Sequence, residues 1–235
     1  MKTVLFSATL LASSLAAAAT PIDGWYGSAF GGYSYLSNLV EPNRIHRHFI
    51  FNTYDRANFR QNLNVAKTGY NAGGRFGFQG GPLRYEAEVT YINAETKNGS
   101  HHRSLFPYWQ ANRGLHHSNN QTTALFGLAN VYFDFPALIP CISPFLGLGI
   151  GYGWVEAKLN WPSDLTLLPR QFRASDSAFA YQGTAGLTFN FAEAWALNVA
   201  YRYLGTTKLD KLGNSFQGNL VSVGMVYRFN EYNYK

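Results

Sequence analysis

Residues 83–91 of this 235-residue chain read Leu83-Arg84-Tyr85-Glu86-Ala87-Glu88-Val89-Thr90-Tyr91. Successive side chains of a β-strand point to opposite sides, so an extended backbone here separates a bulky apolar set from a charged set. Tyr85 and Val89 share the first side, and Glu86 and Glu88 share the second. The alternation therefore predicts a strand whose two faces meet different surroundings.

The same period of two recurs in eight segments along the rest of the chain. The predicted strands cover residues 24–36, 67–79, 83–95, 121–135, 143–157, 177–191, 195–206 and 218–229. Short connections at 80–82, 136–142 and 192–194 alternate with long connections at 37–66, 96–120, 158–176 and 207–217. Short turns at one end and long loops at the other predict an antiparallel meander, and the even strand number puts both chain ends beside the short turns.

Composition indicates that the outer surface of this sheet meets lipid. Charged residues make up 14% of the chain and aromatic residues 17%, whereas an ordinary soluble domain is roughly 25% charged. The polar face is mostly Gly, Ala, Ser and Asn with isolated charges, which suits a narrow lumen better than the solvated face of a soluble sandwich. Large aromatic residues gather at strand ends, as in the girdles of membrane barrels. We therefore predict an all-β fold, an eight-stranded antiparallel up-and-down transmembrane β-barrel.

One uncharged stretch, residues 137–155, has a competing interpretation as a membrane helix. Pro140 and Pro144 argue against a helix, and glycine occupies every second position from Gly147 to Gly153. Alternating glycine is typical of a strand that presents one narrow face to a close neighbour. We therefore predict a strand here.

The first residues have the features of an export signal. A basic start at Lys2 is followed by an apolar run at 4–15 and by small residues that end at Ala19, which predicts a signal peptide over 1–19 and a barrel over 20–235. A retained membrane helix would need about 20 apolar residues. The single cysteine, Cys141, excludes an internal disulfide and is either a lone small residue or a partner in an intermolecular disulfide.

The polar face also carries charges that the alternation places inside the barrel. The lumen of an eight-stranded barrel is just wide enough for side chains to fill it. The charged residues expected there are Arg75, Arg84, Glu86, Glu88, Asp134, Arg202 and Arg228. Buried charges have to be paired, and four positive groups nearly balance three negative ones. The balance predicts a salt-bridged plug, and the alternative is a narrow gated channel for small ions.

The first two long loops hold the residues expected to interact with partners. The first loop is basic and aromatic, and the second contains an apolar cluster around Trp109. Arginine recognises phosphate with two parallel hydrogen bonds, and aromatic rings stack on sugars. The expected interaction residues are Arg44, His46, Arg47, His48 and Trp109. Lipopolysaccharide phosphates and host glycans fit them, although a loop beside anionic headgroups is basic whether or not it binds anything further.

The sequence predicts no catalytic, cofactor or metal site. His46 and His48 fall on one side of an extended chain, but no carboxylate or cysteine stands at a fixed offset to complete a metal site. Serine and histidine are adjacent only at 100–101 and 117–118, both in loops, and catalysis needs groups held rigidly in register. The formal charge of +6 comes without a nucleic-acid-binding motif, so we expect no nucleic-acid partner.

The chain resembles the small outer-membrane β-barrel superfamily, which includes the OmpA transmembrane domain and the opacity-like surface proteins. The resemblance rests on the opening strand at 24–35, the glycine-alternating fifth strand and the closing strand at 221–229. It implies a bacterial outer-membrane location, with lipid and lipopolysaccharide as partners and a host surface or another envelope protein as further ones. Such barrels usually end on an aromatic residue, whereas residues 230–235 follow Phe229 here.

We therefore expect a non-enzymatic surface barrel whose long loops serve adhesion, lipopolysaccharide or partner interaction, and envelope integrity. Two other functions stay open from the sequence. One is a narrow porin-like channel for small solutes, and the other is a lipid-modifying outer-membrane enzyme.

Overall fold

The computed structural model describes residues 23–37, 67–98, 118–137, 141–160 and 171–229. The predicted signal peptide lies outside the described residues, as do the loop residues Arg44, His46, Arg47, His48 and Trp109. Eight strands form one closed barrel. They are β1 (Gly24–Leu36), β2 (Lys67–Gly80), β3 (Leu83–Asn98), β4 (Ser118–Asp134), β5 (Ile142–Asn160), β6 (Gln171–Asn190), β7 (Trp195–Lys208) and β8 (Ser215–Arg228). In the part of the chain that is described, no helix is long and apolar enough to cross a membrane.

Every strand pairs with its sequence neighbours in antiparallel fashion, which confirms the predicted topology. β1 also pairs with β8, from Tyr26 opposite Arg228 to Leu36 opposite Gly218, and this pairing closes the ring. Connections at 81–82, 135–141 and 191–194 lie at one end, here called the short-turn end. The opposite end is the long-connection end, where β3 to β6 extend beyond their predicted bounds.

The two faces of the wall are assigned as the alternation predicts. Tyr85 and Val223 point outward and are 52% and 48% exposed, whereas Glu86 and Ser222 point inward and are 5% and 2% exposed. A soluble barrel would bury the first pair and expose the second, because water would surround it. Bulky apolar side chains on the outside, with charged and small ones inside, are the arrangement that a lipid bilayer requires.

Aromatic rings form two outer girdles, one toward each end of the barrel. Near the short-turn end, the ring centroids of Trp25 and Phe76 lie 5.1 Å apart. Near the long-connection end, those of Tyr181 and Tyr203 lie 6.4 Å apart. Exposed aliphatic residues occupy the wall between the girdles, including Val89, Leu148, Ile150, Val221 and Val223. Aromatic rings at the two interfaces with hydrocarbon between them match the cross-section of a bilayer.

The glycine stripe of β5 makes room for large side chains of β4. A Cβ atom at Gly147 would lie 2.1 Å from Cδ1 of Tyr132, and one at Gly153 would lie 2.2 Å from Cε1 of Phe126. Both distances are far inside van der Waals contact, so any larger residue would displace a ring. The predicted narrow face of this strand is therefore confirmed, and its neighbours use the freed space to fill the lumen.

The predicted fourth long loop, over 207–217, is wrong. β7 continues to Lys208 and β8 begins at Ser215, so the connection is a short turn over 209–214. Leu209 and Leu212 are fully buried in this turn. Gly213 has a positive φ of 86°, and its backbone N–H donates to the carbonyl of Leu209 over 2.7 Å. The turn folds into the mouth of the barrel because burial removes two leucine side chains from water.

Candidate functional site

The lumen divides into two layers of different chemistry. The half nearer the short turns holds the seven charged residues expected there, here called the charge network, which are Arg75, Arg84, Glu86, Glu88, Asp134, Arg202 and Arg228. The half nearer the long connections holds a cluster of buried apolar side chains, here called the apolar layer. The charge network draws its residues from β2, β3, β4, β7 and β8, whereas the apolar layer draws on every strand except β2.

Glu88 lies at the centre of the charge network. Its carboxylate accepts hydrogen bonds from Nε of Arg75 over 2.8 Å and from Nη1 of Arg202 over 2.6 Å. The Thr90 hydroxyl donates to it over 2.6 Å, and the Asn130 amide over 3.2 Å. Four donors from β2, β3, β4 and β7 therefore converge on one buried acid. Such saturation is what allows a carboxylate to stay charged away from water.

Arg202 is fully buried and links opposite parts of the wall. Its Nη2 donates to Asn71 Oδ1 over 2.9 Å and to Ser222 Oγ over 2.8 Å, in addition to the Glu88 contact. Two guanidinium groups lie against the Phe30 ring, with Cζ of Arg202 4.4 Å and Cζ of Arg75 4.3 Å from the ring centroid. The aromatic face offers partial negative charge to both cations. These contacts tie β1, β2, β3, β7 and β8 together across the lumen.

A second part of the network surrounds Arg84. Its Nε forms an ion pair with Asp134 Oδ2 at 2.7 Å, and its Nη1 lies 3.4 Å from Glu86 Oε1. The Tyr26 hydroxyl donates to the same Glu86 oxygen. The guanidinium also lies 5.0 Å from the centroid of the Tyr132 ring. Arg84 is thus held by two carboxylates and an aromatic face.

Arg228 differs from the other three arginines. It is buried, and its Nη2 donates to the neutral Asn190 amide oxygen over 2.8 Å. Among the described residues, no carboxylate lies within ion-pair distance of its guanidinium, and its Nε and Nη1 have no hydrogen-bond partner. The structure therefore places all seven expected residues in the lumen but joins only six of them through ion pairs.

The neutral partners of these charges were missed by the sequence reasoning. Asn71, Thr90, Asn130, Asn190 and Ser222 all lie on the inward face and contact a charged side chain. The same alternation that located the charges would have located them, because each stands on the inward parity of its strand. Amides and hydroxyls supply the donors and acceptors that ion pairs alone leave unfilled.

The apolar layer corrects the expectation that small and charged residues fill the whole lumen. Its larger members are Leu36, Ile92, Phe126, Leu128, Val155, Leu204, Leu209, Leu212, Phe216 and Leu220. The Phe126 and Phe216 rings lie 5.1 Å apart, centroid to centroid. The sequence signal was a break in the period of two, since both faces are apolar at the neighbouring pairs Tyr91-Ile92, Leu125-Phe126 and Trp154-Val155.

The turn over 209–214 covers this layer at the long-connection end. The backbone N–H of Lys211 donates to Asp176 Oδ2 of β6 over 2.9 Å. The Phe216 N–H donates to Thr206 Oγ1 over 3.0 Å. These hydrogen bonds hold the turn so that Leu209 and Leu212 stay over the lumen.

The comparisons with known proteins agree with this architecture. Residues 4–229 match the family model described as outer membrane protein beta-barrel domain. The chain belongs to this family. The resemblance to small outer-membrane barrels that the sequence suggested is therefore confirmed, and the protein is placed in the bacterial outer membrane.

Relatives of this outer-membrane barrel give further context. A protein of Gluconacetobacter diazotrophicus named "Outer membrane protein" is 28% identical over the whole chain, which spans 61% of that relative's length. An uncharacterised protein of Brucella abortus is 27% identical over 52% of the chain and 46% of its own length. The solved structure of Neisserial surface protein A has a TM-score of 0.53 at 15% identity, with 88% of this chain and 98% of that one covered. This last likeness concerns the fold.

Membership of the family orients the candidate site. In bacterial outer-membrane barrels the short turns face the periplasm and the long connections face outward. The charge network therefore lies toward the periplasm, and the apolar layer lies toward the cell exterior. Cys141 is buried in a periplasmic turn with a free thiol, and no group of three or more potential metal ligands occurs among the described residues.

Proposed function

We propose that this outer-membrane barrel is a non-enzymatic, non-conducting scaffold that presents its long outer connections to anionic partners at the cell surface. The observation that carries this proposal is the filled lumen. An aqueous path would have to cross both the charge network and the apolar layer, and each is packed with buried side chains.

The charge network opposes conduction because its groups already satisfy one another. A passing ion would have to compete with contacts such as the 2.6 Å bond between Arg202 and Glu88. Separating such a pair leaves two buried charges uncompensated, which costs roughly 3–5 kcal/mol in comparable sites. The apolar layer adds a second barrier, since hydrophobic constrictions exclude water. Both barriers favour a scaffold over a channel.

The outer rim carries described charges that suit an anionic partner. Arg173 and Lys158 lie on neighbouring strands at the long-connection end, and both contact Glu156, at 2.8 Å and 3.2 Å. The Arg173 side chain is 66% exposed. One carboxylate thus faces two cations, which leaves a positive excess at the rim. Together with Arg44 and Arg47 of the first loop, this excess favours the phosphate groups of lipopolysaccharide as the partner.

The non-conducting lumen is tested by recording current across planar bilayers that contain the purified barrel. We expect no discrete conductance steps. A double variant, Phe126→Ala with Phe216→Ala, provides the comparison, since it empties part of the apolar layer while leaving the charge network in place. Reproducible steps from the unaltered protein at neutral pH would overturn the proposal.

The surface partner is tested by binding of the barrel in nanodiscs to immobilised lipopolysaccharide. The variant Arg44→Gln with Arg47→Gln is expected to bind less, and enzymatic removal of the lipopolysaccharide phosphates is expected to abolish the difference between the variant and the unaltered protein. Binding should also weaken with salt, because exposed charges are screened. Glu193→Gln, which changes one exposed charge at the opposite end, is the control. Equal binding by all three proteins would contradict the proposed partner.

A further inference from the structure

The periplasmic mouth of the barrel contains a cavity of about 400 Å³. Its lining includes inward-facing polar side chains from β2, β3, β4, β6 and β8, which are Gln79, Arg84, Asp134, Thr188, Asn190 and Arg228. The turn residues Gly81, Pro82, Pro136 and Ala137 form part of its rim. A cavity of this volume lies within the range of small-molecule sites, roughly 300–1,000 Å³.

Hydrogen-bond donors around this cavity lack partners. Arg228 is only 5% exposed, and its Nε and Nη1 make no hydrogen bond in the described structure. The Thr188 hydroxyl and Nη2 of Arg84, both buried in the same lining, are likewise without partners. Burying a donor without an acceptor costs roughly 1–3 kcal/mol, and more for a charged group. Four unmatched donor atoms on one cavity therefore form a cluster that an acceptor would stabilise.

The net charge at the mouth is positive, so it also favours an acceptor that carries negative charge. Among the described residues that line the cavity, Asp134 is the one carboxylate, and it is already paired with Arg84 at 2.7 Å. Within the charge network, four guanidinium groups face three carboxylates. The excess positive charge falls on Arg228, whose described partner is the neutral Asn190. A buried cation is costly unless an anion compensates it.

We propose that this mouth is an oxyanion site that takes one carboxylate or phosphate group. Arg228 supplies the charge, and Thr188 and Arg84 supply further donors. A metal cation is disfavoured by the two guanidinium groups, and a neutral ligand would leave Arg228 without an ion-pair partner. The carboxylate or phosphate group that occupies the site has two possible sources. One is a diffusible anion in the periplasm, and the other is the side chain of Glu231, which stands three positions after Arg228 in the sequence.

Thermal unfolding of the purified barrel, titrated at constant ionic strength, tests the site. Chloride is replaced stepwise by inorganic phosphate in one series and by acetate in another. With a diffusible anion as the natural occupant, one series raises the unfolding temperature in a saturable manner. Arg228→Gln loses that response, with a loss of about tenfold or more in apparent affinity for the anion. Thr188→Val weakens the response. Lys208→Gln, an exposed cation at the opposite end of the barrel, keeps the full response.

The variant Glu231→Gln separates the two sources. If Glu231 fills the site, the unaltered protein shows no saturable response, Glu231→Gln acquires one, and adding Arg228→Gln removes it again. Without added anion and in the Glu231→Gln background, Arg228→Gln should unfold at the same temperature as Glu231→Gln alone or higher, which shows that the variant folds. The proposal is overturned if neither anion gives a saturable response in the unaltered protein and in Glu231→Gln, or if Lys208→Gln loses the response as fully as Arg228→Gln.

Discussion

The two layers of the lumen fill the same kind of space by different means. In the charge network a few long side chains are joined atom to atom, with Glu88 accepting four hydrogen bonds. In the apolar layer the fit is one of volume, as where the Phe126 ring occupies the space left by Gly153. Removing one partner therefore leaves an unsatisfied charge in the charge network but only a void in the apolar layer.

The largest expected effect is in the charge network. Glu88→Gln removes the carboxylate that pairs with Arg202 and the nearer of the two that pair with Arg75, while keeping the size of the side chain. We expect a loss of about 3–5 kcal/mol in the free energy of unfolding, because the fully buried Arg202 guanidinium loses its carboxylate. Urea titration in detergent micelles measures it, and Glu95→Gln, at an exposed position of the same strand, is the control. Equal midpoints for both variants would show that the network is not stabilised through Glu88.

The corresponding change in the apolar layer is Phe126→Ala. Loss of a fully buried ring should cost about 3 kcal/mol, through lost burial and the cavity left behind. Leu125→Ala, one position along but facing outward, is the matched control and should cost less. The comparison of the two layers would fail if the outward change were the more costly one in the same urea titration.

Much of the first layer could be predicted from the sequence, and much of the second could not. Arg75, Glu88 and Arg202 stand on the inward parity of their strands, and charge marks them clearly against glycine and alanine. Ile92 and Phe126 also stand on the inward parity, but each follows an outward-facing apolar residue. Because both faces are apolar there, the sequence alone does not distinguish the lumen from the lipid-facing side. Only the three-dimensional ring, with Leu212 folded over its mouth, shows that these residues share one cluster.

The variant Gly153→Ala tests the volume fit of the apolar layer. The added methyl group would collide with the Phe126 ring, and overpacking of this kind costs roughly 1–3 kcal/mol. Combining it with Phe126→Leu should relieve part of that cost, giving a coupling of about 0.5–3 kcal/mol in a double-mutant cycle. Gly127→Ala is the control, since a Cβ atom there meets nothing within 4 Å. Strict additivity of the two changes would contradict the proposed contact.

The smallest expected effect concerns the turn that covers the apolar layer. Asp176→Ala removes the acceptor of the Lys211 N–H in the turn and of the neighbouring Ser177 N–H, and we expect a cost of about 1 kcal/mol at this solvent-exposed position. Amide hydrogen exchange at 209–214 should accelerate while the strands keep their protection. Lys208→Ala, at an exposed position beside the turn, serves as control. Unchanged exchange in the turn would mean that burial of its leucines alone holds it in place.

Pairing of β1 with β8 has a consequence for how the molecule reaches its native state. The partners Tyr26 and Arg228 are separated by about 200 residues of sequence, so no short hairpin can start their pairing. High contact order of this kind slows folding. Until the seam forms, two strand edges offer unpaired amide and carbonyl groups to any passing chain. A change that prevents the pairing of β1 with β8, such as deletion of β8, should therefore favour aggregation.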